Sequence, residues 1–233
     1  MVKNGCTLLL LFALLLMQAA IANPTIAAPG QPVDGLSLSS ATAAALPLSA
    51  SRFPDVSEDY WASSTVRQLV YQGAVEGYPD GTFRPDRAIT RAEFAAMITA
   101  ALKVPLDAHP GFLLLDDTSI PGWAYVPIMT AFKDGIIPGY TDGSFRPGNS
   151  ITRGEIAVMA ANTLRVSQMM TRLLQPNCPD AGSIPDWAKG DVAFDLAEGI
   201  MTGYPDGTFQ ASRQVTRAEA AALVLELMKL STS

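Results

Sequence analysis

Past its N-terminal end, this chain sets apolar residues at helical spacing in short blocks, separated by polar, turn-rich loops. Val66, Leu69 and Val70 fall at i, i+3 and i+4, giving one apolar face to a helix that follows the Trp61-Ala62 pair. That helix is expected to stop near Gly73, since a left-handed C-cap carries the least steric cost for glycine. A second block, Phe94, Met97, Ile98 and Ala101, predicts another helix over residues 92–102. Between the two lies GYPDGTFRP, starting at Gly77, whose Pro-Asp-Gly triplet is tight-turn chemistry. The pattern reads helix, long loop, helix.

The same pattern occurs three times. Trp61, Trp123 and Trp187 stand 62 and 64 residues apart, and the same two intervals separate Gly77, Gly139 and Gly203, then Glu93, Glu155 and Glu219. The recurring units run from Phe53 to Leu102, Leu114 to Leu164 and Cys178 to Met228, within repeats bounded at 53–113, 114–177 and 178–233. The later loops read GYTDGSFRP from Gly139 and GYPDGTFQA from Gly203, and the first helices of these units should end near Gly135 and Gly199. One helix pair cannot bury its apolar faces alone, so the three units are expected to share a core.

The N-terminal segment follows neither rhythm. Lys3 precedes the apolar run Leu8–Met17, and Ala20-Ile21-Ala22 offers the small-x-small pattern of an export cleavage site. Residues 1–22 therefore read as a signal peptide, too short in its apolar core for a span of about 20 residues. Residues 23–52 are rich in Ala, Pro and Ser with almost no charge, the composition of a flexible tether. No later stretch is long and apolar enough to span a bilayer. The formal charge of −6 argues against nucleic acid as the main partner. Removal of the leader leaves Cys178 as the one thiol, excluding an internal disulfide. It stands where the first unit has Phe53, which suits a small buried apolar role.

Candidate chemistry concentrates at the start of each second helix. Thr90 with Glu93, Thr152 with Glu155 and Thr216 with Glu219 have the spacing of a capping box, and this structural role accounts for both residues. The arginine between them is harder to explain. Arg91, Arg153 and Arg217 take the first helical position, where the helix dipole disfavours a cation by a few tenths of a kcal/mol up to about 1. Two partners could offset this: an anion held by the guanidinium and the free N–H groups of the helix start, or a nearby carboxylate such as Asp86. The residues alone leave these balanced. Trp61, Trp123 and Trp187 read first as core anchors, and the Asp-Gly pairs as turn formers.

Phe-Pro-Asp-Val with Trp61-Ala62, then GYPDGTFRP and Ile89-Thr-Arg-Ala-Glu93, resembles the S-layer homology (SLH) repeat, and the resemblance recurs in all three units. It implies a mainly α fold in which three helix–loop–helix repeats pack as a pseudo-threefold, three-pronged helical bundle. It also implies non-covalent anchoring in the cell envelope. The partner it implies is secondary cell-wall polysaccharide linked to peptidoglycan, often ending in a pyruvylated, anionic sugar, with other envelope proteins as further partners. Carried onto this sequence, the glycan-binding residues are Arg91, Arg153 and Arg217, with Trp61, Trp123 and Trp187. The loop pairs Asp80-Gly81, Asp142-Gly143 and Asp206-Gly207 complete the set. Gln210-Ala211, standing where the other units have Arg-Pro, marks the third unit as the one expected to have the loosest loop.

Other functional classes fit less well. An EF-hand needs oxygen ligands at alternating positions, but Phe83 and Pro85 stand where two of them belong. The single histidine, His109, has no Ser/His/Asp set, metal cluster or phosphate loop around it in sequence, so neither an enzyme nor a cofactor or metal site is expected. A self-assembling S-layer or envelope subunit without a dedicated glycan site is the alternative to anchoring.

Overall fold

A computed structural model describes residues 53–107, 111, 114–164 and 174–231. The leader, the tether and His109 lie outside the described residues. Within them, each unit contributes two helices: α1 (Ser63–Tyr71) and α2 (Arg91–Ala101), α3 (Gly122–Lys133) and α4 (Arg153–Thr163), α5 (Asp186–Ala197) and α6 (Arg217–Ser231). The first helices end as their glycines require, with Gly73, Gly135 and Gly199 at φ of 71°, 71° and 69°. The second helices begin on capping boxes. Thr90 and Thr152 accept from the N3 backbone while Glu93 and Glu155 reach back, and Thr216 and Glu219 repeat the exchange at 3.2 and 2.9 Å.

The units interlock cyclically. α3 packs on α2, α5 on α4 and α1 on α6, so each repeat lays its first helix against the second helix of its neighbour. At the centre, three residues just ahead of the second helices bond to one another in a circle. Ile89 N–H donates to Val215 O at 3.0 Å, Val215 N–H to Ile151 O at 2.9 Å, and Ile151 N–H to Ile89 O at 3.1 Å. All three side chains are buried. A backbone group in that position has no access to water, and the circle supplies each with its partner.

The predicted apolar faces are inside: Phe94, Met97, Ile98 and Ala101 of α2 are buried, as are Val66 and Leu69 of α1. The tryptophans are not. Trp61, Trp123 and Trp187 are 60%, 60% and 59% exposed, and the alanine after each is fully buried. The alanine of the Trp-Ala pair is therefore the core anchor. A helix start with a buried alanine at this radius turns its neighbouring residue outward.

Cys178 has left a gap. In the first unit the Phe53 ring packs on Phe83, at 5.4 Å between centroids, and so closely on Gly77 that a Cβ there would lie 2.3 Å from it. In the second unit Phe132 approaches Gly139 from α3, and an added Cβ would meet it at 2.9 Å. No ring reaches Gly203 in the third unit. A cavity of about 520 Å³ opens there instead, between Cys178, Leu196, Gly203 and Phe209. The thiol is half-buried, and burial pushes its pKa up. Cys178→Phe should occupy the part of this space beside Gly203 and stabilise the fold by about 1 kcal/mol, raising Tm by about 2–4 °C. A lower Tm in calorimetry would mean that the site is already packed.

Helix α5 also carries a buried carboxyl pair. Asp191 and Asp195 lie one turn apart, 2% and 0% exposed, and neither oxygen of Asp195 has a hydrogen-bond partner. The first unit has the buried Leu69 at the position of Asp195, and the second has Ala131. Burial, then the charge of Asp191, pushes the Asp195 pKa from 3.8 up to about 8. A carboxyl whose pKa rises on folding stabilises fully below its unfolded pKa, and that contribution is lost as pH climbs toward the folded value. The protein should thus lose a few kcal/mol of stability between about pH 4 and pH 8 through this group. Asp195→Leu should flatten that loss and be the more stable protein at about pH 8 in urea titrations. An unchanged pH slope in the variant would remove Asp195 from this role.

Candidate functional site

The cyclic packing brings residues from all three units into one groove of about 420 Å³. The first unit supplies the loop Gly73–Tyr78 and the α2 residues Glu93, Ala96, Met97 and Ala100. Trp123 comes from the second unit, on the first turn of α3, and Arg217 from the third, at the first position of α6. Trp123 is in place because α3 lies along α2, and Arg217 because the α6 N-terminus docks on the first unit's loop. There Arg217 N–H donates to Arg87 O at 2.8 Å and Ala218 N–H to Pro85 O at 2.9 Å.

That docking is repeated at every junction. Arg91 and Ala92 N–H groups donate to Asn149 O and Pro147 O, at 2.9 and 3.0 Å, and those of Arg153 and Gly154 to Arg213 O and Ala211 O, both at 2.8 Å. With the capping threonines taking the next N–H, the helix starts hold no free donors for an anion. Asp86 accepts from Tyr60 at 2.7 Å and is not the carboxylate partner weighed for the arginines. The guanidinium groups reach instead into the following unit.

Arg91 donates from Nε to Phe145 O at 2.8 Å and from Nη2 to Pro138 O at 2.6 Å. Arg153 makes the equivalent pair with Phe209 O and Thr202 O, both at 2.8 Å. Arg217 donates from Nη2 to Glu76 O at 2.7 Å, but its Nε has no partner. Each guanidinium also lies between two aromatic faces, 4.7 to 5.0 Å from their centroids: Tyr140 and Phe145, Tyr204 and Phe209, Tyr78 and Phe83. Carbonyls and rings thus make the closest contacts to the charge. Burial lowers the pKa of all three, though an arginine so placed keeps its charge. A capping-box glutamate of the following unit attracts each guanidinium: Glu155 Oε1 lies 3.7 Å from Arg91, and Glu219 and Glu93 act in the same way on Arg153 and Arg217.

The Asp-Gly pairs are absent from the groove wall. Asp80 accepts from Thr82 N at 3.0 Å and from Arg84 Nη2 at 2.8 Å, while Gly81 takes φ of 81°. Asp142 and Asp206 close their turns the same way, with Gly143 at 81° and Gly207 at 80°. Thr82 and Arg84 hold the Asp80 carboxyl well below its usual range, as Ser144 and Arg146 hold Asp142. The third loop is not looser. Gln210 keeps the left-handed φ of 57° found at Arg84 and Arg146, its N–H bonded to Asp180 at 2.7 Å.

Sequence reasoning missed Tyr78, Tyr140 and Tyr204. Tyr78 stacks on Arg217 and donates its hydroxyl to Glu93 at 2.5 Å, where Arg87 also pairs with that carboxylate at 2.7 Å. The signal was present in the Gly-Tyr and Phe of every loop, repeated at a constant distance ahead of the arginine. Among the described residues, no group of three or more His, Cys, Asp or Glu side chains could hold a metal ion. No helix among them is long and apolar enough to cross a membrane.

The S-layer homology domain family matches the chain over residues 52–95, 115–157 and 179–221. Similar proteins include an amylopullulanase of Thermoanaerobacterium thermosulfurigenes, 36% identical over 77% of this chain and 10% of its own length. Exoglucanase XynX of Acetivibrio thermocellus is 36% identical over 78% of this chain and 16% of its length. S-layer protein EA1 of Bacillus anthracis is 31% identical over 74% and 19%. The chain thus spans between a tenth and a fifth of the length of these relatives, in the stretch that holds its three Trp–Arg units. Three matches in the order of those units place this chain in the S-layer homology domain family.

Proposed function

We propose that the chain is a non-catalytic module that fastens to the cell envelope from outside the cytoplasm. It does so by binding an acidic, pyruvylated secondary cell-wall polysaccharide at the junctions of a pseudo-threefold bundle. The observation that carries this reading is Arg217, a cation 9% exposed, with an unpartnered Nε, beside the exposed indole of Trp123 in one groove. A ketal carboxylate would accept from the guanidinium, a charge-assisted bond of about 1.5–3 kcal/mol. The sugar ring would lie on the indole, which is amphipathic and already desolvated on its inner side. Relatives named as S-layer proteins and as polysaccharide-degrading enzymes share only this part, which supports an attachment role common to different cargoes.

Cosedimentation with purified cell wall, native or chemically depyruvylated, tests the reading. The protein should sediment with native wall and lose at least about tenfold in affinity once the ketal is removed, about 1.4 kcal/mol. Changing Arg91, Arg153 and Arg217 together to Ala should abolish binding but also loosen the junctions. Trp123→Ala, at a surface position, separates the two effects: it should keep the native Tm and still lose binding. Equal sedimentation with depyruvylated wall would contradict the glycan reading and favour self-assembly, which light scattering without any polymer would then reveal.

A further inference from the structure

The first two units each press one aromatic ring against the glycine that opens the loop, and they do so from different positions. One position lies two residues before the aspartate that holds the loop, and the other lies on the first helix. In the first unit the ring is Phe53 and the helix position holds Val70; in the second the ring is Phe132 and the other position holds Leu114. In the third unit the two positions hold Cys178 and Leu196, so neither supplies a ring. Gly203 stays a glycine all the same. The three atoms nearest to a Cβ built there belong to the loop's own backbone, at 3.1 to 3.7 Å. Both ring positions, Gly203 and Phe209 bound the cavity of about 520 Å³. We infer that this cavity is a binding site for one neutral aromatic ring brought from outside the chain. It shares no lining residue with the Trp123–Arg217 groove and does not depend on the anchoring reading.

The first unit shows what such a ring meets. Phe53 lies 5.4 Å from Phe83 between centroids, tilted by 36°, and one edge of it rests on Gly77. Tilted ring pairs of this kind are favourable beyond the area they bury. Phe209 is the counterpart of Phe83 and is fully buried, so the aromatic wall is already in place in the third unit. A planar ring between Phe209 and Gly203 would make the contacts that the other units build into the chain.

Neutrality follows from the lining. None of the described residues around the cavity is charged. Cys178 stays a thiol, because burial, then its contact with Asp180, pushes its pKa up. An ionised ligand group would lose water there without gaining a partner. A ring with one hydroxyl or amide can instead bury its face and turn its polar atom toward Gln175 and Asn177, which line the same cavity and are exposed.

Titration with benzyl alcohol, and in a second arm with N-acetylphenylalaninamide, tests this by amide NMR and by thiol alkylation. The Gly203 amide should shift under the ring current. Iodoacetamide should alkylate Cys178 about tenfold more slowly at a ligand concentration of about ten times Kd, following 1 + [L]/Kd. Binding in either arm supports the site, and the amide arm separates a side chain of another polypeptide from a free small molecule. Two variants close the slot from the two positions used elsewhere in the chain: Cys178→Phe copies the first unit and Leu196→Phe the second. Each should weaken binding at least about tenfold, since a filled cavity has no room for a ligand. No shift at Gly203 with either probe, an unchanged alkylation rate, or undiminished binding to either folded variant would overturn the inference.

Discussion

Everything in this fold hangs on backbone hydrogen bonds that no unit can make for itself. The N–H and C=O groups of Ile89, Ile151 and Val215 close a circle at the buried centre. The first two N–H groups of each second helix donate to loop carbonyls of a neighbouring unit. A single repeat cut from its neighbours would expose these groups and its apolar helix faces together. That is why a helix pair of modest apolar content folds only in company. It also gives the loops their unusual regularity. The carbonyls of Pro85, Pro147 and Ala211 must point at a neighbour's helix, and Asp55, Asp116 and Asp180 hold those loops by accepting two N–H groups each.

The arginines belong to the same constraint and extend it toward function. A guanidinium at a helix start is disfavoured by the dipole, and here the dipole's own N–H groups are already engaged by carbonyls. The charge is then stabilised by carbonyl oxygens and aromatic faces, with a capping-box glutamate of the next unit adding its attraction at each junction. The arginines are therefore a structural clamp between units, and the buried, unpartnered Nε of Arg217 is where the clamp is incomplete.

Much of the local structure was legible in the sequence because its causes are local. The capping boxes, the glycine C-caps and the Asp-Gly turns depend on residues within a few positions of one another, and all appear where spacing put them. The destination of the arginines was not legible, since Arg91 bonds 47 and 54 residues ahead and Arg217 reaches 141 residues back. The third unit's arginine serves the first unit's loop, so the groove has no single owner. Periodicity also could not tell which member of the Trp-Ala pair faces inward, because at a crowded helix start the smaller residue wins the core. Asp195, on the buried face of α5 where the first unit has leucine, breaks the hydrophobic pattern with nothing in the sequence to explain it.

The central claim is that the groove shared by Trp123 and Arg217 takes an acidic envelope glycan. The most direct measurement is the indole N–H correlation of Trp61, Trp123 and Trp187 by NMR during titration with fragments of native, pyruvylated cell-wall polysaccharide. The account predicts that the Trp123 resonance moves as the polymer is added, and moves far less with depyruvylated fragments. A Trp123 resonance that stays in place at saturating native polymer would contradict it.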